Sequence, residues 1–92
     1  MANIFTKIQR KVNRGEIRFS RHSAFELDDE GFTQADAVKV ILKPFNYYEF
    51  THDKSHVRFC FEGYTNDDRM LAVIAFLDKG IVRVKTAYEI FD

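Results

Sequence analysis

The sequence predicts an α+β domain, with helices packed on one face of a mostly antiparallel sheet, in the order α-β-α-α-β-β-β-β. Three observations carry this expectation. Apolar residues recur at helical spacing up to Pro44 and at a spacing of two after it. Turn-forming clusters divide the second half into successive hairpins. The stretch Arg69 to Phe76 is apolar on both faces, as a central strand would be.

Each element has a local cause. Ile4, Phe5, Ile8 and Val12 form an apolar stripe among Lys7, Arg10, Lys11 and Arg14, which predicts an amphipathic helix over 3–13, within a basic N-terminal segment 1–14. A short strand follows over 16–20, with Ile17 and Phe19 inward. Ser20 is placed to cap a second helix over 21–30, with Ala24, Phe25 and Leu27 as its apolar positions and Gly31 as its stop. Thr33 and Asp36 resemble a capping box opening a third helix, whose expected buried stripe is Ala35, Val38, Ile41 and Leu42. Pro44 ends it, because the residue before a proline is pushed out of the α region.

Four strands are expected beyond Pro44. The first, 45–51, is rich in tyrosine, and the turn His52-Asp53-Lys54-Ser55 follows it. In the second, Val57, Phe59 and Phe61 point one way and Arg58, Cys60 and Glu62 the other. Gly63 to Asp68 reads as a longer turn into the apolar strand. Asp78-Lys79-Gly80 reads as a tight turn into the last strand, 81–88. Simple alternation there puts Val82, Val84, Thr86 and Tyr88 on one face, and Ile81, Arg83, Lys85 and Ala87 on the other.

The bulk composition narrows the function. The chain has 92 residues, the size of one domain, and 46% apolar content fits a folded globule rather than a disordered chain. Fourteen basic and 14 acidic residues give zero formal charge, which argues against passive coating of DNA or RNA. The distribution is uneven. Residues 1–23 carry six cations against Glu16 alone, and residues 24–36 carry five acids and no Lys or Arg. The single cysteine, Cys60, excludes an intramolecular disulfide and reads as a small hydrophobe. No membrane span and no secretory signal are evident, so the expected compartment is the cytoplasm.

Three constellations could carry chemistry. His52 and His56 flank a turn and lack a third ligand, so neither a metal site nor a cofactor is expected. His22 and Glu26 share a helix face, and a histidine with a carboxylate partner can move protons near neutral pH. Arg58, Arg83 and Lys85 lie on strands, with Glu62 and Tyr88 as further proton-transfer candidates. Guanidinium forks match phosphate oxygens, so these cations are either a phosphate site or an ordinary solvated face.

The segment order resembles the RelE/ParE-type toxin superfamily, particularly the BrnT-like ribonuclease toxins and their uncharacterised relatives. The resembling stretches are Phe19 to Glu26, Glu30 to Val38, Arg58 to Thr65 with Arg69 to Val73, and Ile81 to Tyr88. They span roughly residues 16–90; the basic N-terminal helix is not part of the shared pattern, and Leu27 stands where some relatives carry an arginine. The resemblance implies a RelE-like fold and a metal-independent ribonuclease toxin that cleaves RNA by attack of the 2′-hydroxyl. It implies His22, Glu26, Arg58, Arg83 and Tyr88 as site residues, with Lys85 added on charge, and a protein antitoxin as partner. A non-catalytic binding module of the same fold is the alternative, as is a homodimer formed through Phe45, Tyr47, Tyr48 and Phe50.

Overall fold

The computed structural model describes residues 3–50 and 57–91, and for Phe50 the backbone only. The elements are α1 (Ile4–Asn13), β1 (Ile17–Phe19), α2 (Arg21–Asp29), α3 (Gln34–Leu42), β2 (Asn46–Phe50), β3 (Arg58–Tyr64), β4 (Met70–Asp78) and β5 (Ile81–Ile90). They form an α+β fold in the expected order. The turn after β2, with the His52 and His56 pair, lies outside the described residues. No helix among the described residues is long and apolar enough to cross a membrane.

The sheet has five strands in the order β1-β5-β4-β3-β2. Neighbours are antiparallel except β1, which runs parallel to β5. The β4–β5 hairpin closes through Lys79 and Gly80, both at positive φ (51° and 81°), the geometry whose twist matches that of paired strands. Phe59, Phe61, Leu71, Val73, Ala75, Val82 and Val84 form the inward face, and Ile8 and Val12 of α1 with Ala37, Val40 and Ile41 of α3 close the core over it. Among the described residues no helix covers the other face of the sheet.

The three helices start where expected. Asn3, Ser20 and Thr33 each accept a hydrogen bond from a first-turn amide, and Thr33 with Asp36 completes a reciprocal capping box. Two apolar stripes differ from the expectation. In α3 the buried positions are Ala37, Val40 and Ile41, whereas Val38 and Leu42 are half-buried and Ala35 is exposed. In α2 the buried positions are Ser23 and Leu27, and Phe25 stands 68% exposed.

The reason in α2 is its placement. β1 ends at Phe19, leaving the outer edge of β5 unpaired beyond Val84, and α2 runs along that edge. Its side chains occupy the free backbone groups of β5. The Ser20 and Ser23 hydroxyls each donate at 3.2 Å, to the carbonyls of Lys85 and Val84. Glu26 accepts from the Ala87 amide at 3.2 Å, and Glu30 from the Glu89 amide at 2.7 Å. A helix serving as the last partner of a strand needs hydroxyls and carboxylates on the packed side, because a buried amide without a partner is costly.

Two further features depart from the simple alternation. β3 continues through Gly63 and Tyr64, where the sequence predicts a turn. Gly63 lies under the end of α3, where an added Cβ would sit 3.3 Å from the Lys43 carbonyl oxygen and 3.3 Å from Val40 Cγ1. The glycine therefore permits close approach rather than a bend. In β5 the register steps from Val84 opposite Ala75 to Thr86 opposite Ile74, leaving Lys85 as the extra residue of a β-bulge. The bulge inverts the alternation beyond it. Ala87 joins Val82 and Val84 in the core, and Tyr88 joins Arg83 on the helix-free face. The expected grouping of Tyr88 with Val82, and of Lys85 with Arg83 and Ala87, is corrected accordingly.

Candidate nucleic-acid interface

The register places cations in a row across the helix-free face. Arg58 on β3 is opposite Phe76 on β4, Phe76 is opposite Arg83 on β5, and Arg83 is opposite Arg18 on β1. Adjacent strands are about 4.8 Å apart, so the row from Arg58 to Arg18 spans about 14 Å. All three arginines alternate with core residues of their own strands, which fixes the face they occupy. Arg83 Nε donates to Asp78 Oδ2 at 2.9 Å, which holds the guanidinium at the β4–β5 turn. Arg18 donates to the carbonyl oxygens of Ile17 at 2.7 Å and Gly15 at 3.3 Å, so its guanidinium leans toward the α1–β1 turn.

The rest of this face carries tyrosines and small residues together with Ile74, Thr86 and the acid Glu62. Tyr88 is opposite Ala72, and Ala72 is opposite Glu62, whose carboxylate accepts from Asn46 Nδ2 at 2.8 Å. Tyr48 is opposite Cys60, and the two side chains are hydrogen-bonded. Cys60 and Ala72 are fully buried although no helix among the described residues covers them. Tyr48 and Tyr88, at 42% and 41% exposure, flank this pair of small residues and keep a ring surface in solvent. The phenol of Tyr88 is pushed up chiefly by burial, with the Cys60 and Glu62 charges adding to it; that of Tyr48 is raised by the bond to Cys60 and then by burial. Both therefore stay protonated donors at neutral pH. Burial pushes the Cys60 thiol up as well, which leaves it a thiol rather than a nucleophile.

His22 and Glu26 lie at the rim of this face, on α2. His22 Nε2 is 3.3 Å from Glu26 Oε2, and the other oxygen of Glu26 accepts from Thr86 Oγ1 at 2.5 Å and from the Ala87 amide. Thr86 belongs to the helix-free side through its pairing with Ile74. A chain His22–Glu26–Thr86 thus reaches the sheet surface, with Glu26 as the middle, positioning member and the His22 side chain 70% exposed. Lys85, in the bulge, is exposed and outside the arginine row.

Of the residues expected at the site, Arg58, Arg83 and Tyr88 share one surface and His22 with Glu26 adjoins its edge. Arg18 and Thr86 are additions. The signal for Arg18 was its position between Ile17 and Phe19, but its pairing with Arg83 follows from a parallel contact between distant segments. Arg69, which lies in the resembling stretches, is structural. It donates to the carbonyls of Glu30 and Gly31 at 2.8 Å each, pairs with Asp67 at 3.0 Å and covers the Phe32 ring at 3.9 Å. Among the described residues no three His, Cys, Asp or Glu side chains are grouped to hold a metal ion. An apolar groove on the helix side, lined by Ile4, Glu49, Val57, Phe59 and Leu77, holds no cation and does not suit a phosphate. No family model matches the chain, and no curated protein matches it.

Proposed function

We propose that the helix-free face binds single-stranded RNA and that the protein is a small metal-independent ribonuclease of RelE-like type, the toxin of a toxin–antitoxin pair. The observation that carries this reading is the arginine row Arg58–Phe76–Arg83–Arg18 beside the exposed rings of Tyr48 and Tyr88. Arginine forks take phosphate oxygens, and aromatic faces take unstacked bases. In the proposed reaction the 2′-oxygen attacks the adjacent phosphorus and its proton passes to the His22 imidazole. Arg58 and Arg83 hold the added negative charge. The bond from phosphorus to the 5′-oxygen breaks, and that oxygen takes the Tyr88 proton, which water then restores. The products are a 2′,3′-cyclic phosphate and a 5′-hydroxyl. Lys85 adds positive charge at the rim. A protein antitoxin would cover the same face, whose exposed aromatics suit a protein partner as well.

The test is cleavage of a single-stranded RNA by purified protein, comparing wild type with Arg58→Ala, Arg83→Ala and His22→Ala. Wild type should leave cyclic phosphate ends, and losing one arginine should slow cleavage by about 10²–10³-fold, as for other preorganised charge-stabilising groups. The engagement of Glu26 by Thr86, Ala87 and His22 favours a second reading, in which the face binds RNA without cutting it. Binding with no cleavage would select that reading. Neither binding nor cleavage would refute both.

A further inference from the structure

The outward side of α1 carries a cationic ridge that the proposed site does not use. Lys7, Arg10 and Lys11 recur at i, i+3 and i+4 and so lie along one side of the helix, with Arg14 at its C-cap. α1 contains no acidic residue. Among the described residues Lys7, Arg10 and Lys11 have no carboxylate within ion-pair distance, and Arg14 has only Glu16 at 3.9 Å. Like charges at i,i+4 disfavour a helix, and Lys7–Lys11 is such a pair within α1. A face built only for solubility would intersperse acids. The chain as a whole is neutral, so this concentration of charge polarises the surface.

The ridge approaches the arginine row at the β4–β5 turn. Lys11 Nζ lies 3.7 Å from where a Cβ on Gly80 would sit, which puts it against the β4–β5 turn that also holds Lys79 and Asp78. Asp78 grips Arg83, and Arg18 folds back onto the carbonyl of Gly15 at the end of α1. Cations therefore run from Arg58 across the sheet to Arg18, around the edge, and up α1. The ten residues of α1 add about 15 Å to the path.

We infer that α1 is a second phosphate track, on which an RNA strand already seated on the sheet continues around the β1 edge. The inference rests on the proposed RNA site and assigns it a long single-stranded ligand. α1 then contributes length-dependent affinity without touching the scissile bond.

The experiment measures binding of a 12-nucleotide and a 3-nucleotide single-stranded RNA by fluorescence anisotropy over a salt series. Wild type is compared with the triple variant Lys7→Gln, Arg10→Gln, Lys11→Gln, and with Asp28→Asn, Asp29→Asn on α2 as a charge control. Glutamine keeps helix propensity, and circular dichroism checks the fold. Each phosphate contact on a single strand adds about 0.7 to the slope of log affinity against log salt. The triple variant should therefore lose about 2 from the slope for the long RNA and nothing for the short one. An unchanged slope for the long RNA, or equal losses for both lengths, would overturn the inference while leaving the sheet site standing. Polyglutamate that displaces the long RNA from wild type but not from the triple variant, at matched charge concentration, would reassign the ridge to an acidic protein. Absence of any RNA binding by wild type would overturn the site and the track together.

Discussion

Replacing Glu26 separates a structural role from a catalytic one. Its carboxylate accepts from Thr86 Oγ1 and from the amide of Ala87, a residue 1% exposed, and it meets His22 at 3.3 Å. Glu26→Ala removes two acceptor contacts of a charged group, each worth about 1.5–3 kcal/mol when its loss leaves the partner dry. The Glu26 side chain is 25% exposed, so water can enter beside Thr86 and recover part of this. A net loss of about 2 kcal/mol follows. For a domain of this size each 1 kcal/mol moves the midpoint by about 4–8 °C, which predicts a fall of about 8–16 °C in Tm. Glu26→Gln keeps one oxygen acceptor for the Ala87 amide and should lose about half as much. Thermal unfolding by circular dichroism reads both variants. If Glu26→Ala keeps the wild-type Tm yet abolishes RNA cleavage, Glu26 is a catalytic residue and its placement as the partner of β5 is wrong.

Three other perturbations test the fold around the site. Leu27→Ala should cost about 2–5 kcal/mol in urea unfolding, whereas Phe25→Ala, at a 68% exposed position, should change stability by less than about 0.5 kcal/mol. Gly63→Ala pushes a methyl to 3.3 Å from the Lys43 carbonyl oxygen and should cost about 1–3 kcal/mol by overpacking, with no loss from Gly15→Ala beyond that of its left-handed turn. The Asp67 carboxyl is held below its usual range, chiefly by the Thr65 hydroxyl and then by Arg69. A lowered folded-state value means its contribution is present above the ordinary aspartate range and disappears as pH falls through the folded value. The stability difference between wild type and Asp67→Asn should therefore narrow on acidification and hold constant at neutral pH.

Local signals carried much of the fold. Ser20 and Thr33 are caps as expected, because their side chains compete for the first free amides, a preference written in single residues; Asn3, expected inside the first helix, is its cap. The change of period at Pro44 marked the passage from helices to hairpins, and the doubly apolar Met70–Asp78 became a strand with neighbours on both sides. What could not be read depended on contacts between distant segments. The pairing of β1 with β5 brings Arg18 beside Arg83, yet 64 residues separate their strand starts in the chain, from Ile17 to Ile81. The bulge at Lys85 leaves no mark in an alternating sequence, and it alone moves Tyr88 onto the arginine face. The sequence predicts an apolar stripe through Ala24, Phe25 and Leu27 in α2; its position along a strand edge keeps Leu27 buried but makes Ser23 and Glu26 the residues that meet β5, with Phe25 exposed.

The proposed function requires RNA to lie on the helix-free face across the arginine row. Titration of a single-stranded RNA into isotope-labelled protein, followed by amide chemical shifts, tests it directly. The largest shifts should fall at Arg58, Phe76, Arg83 and Arg18, with Tyr48 and Tyr88 next and the buried stripe of α3 unmoved. Shifts confined to α2, α3 or the groove beside Ile4 and Phe59, with the arginine row silent, would contradict it.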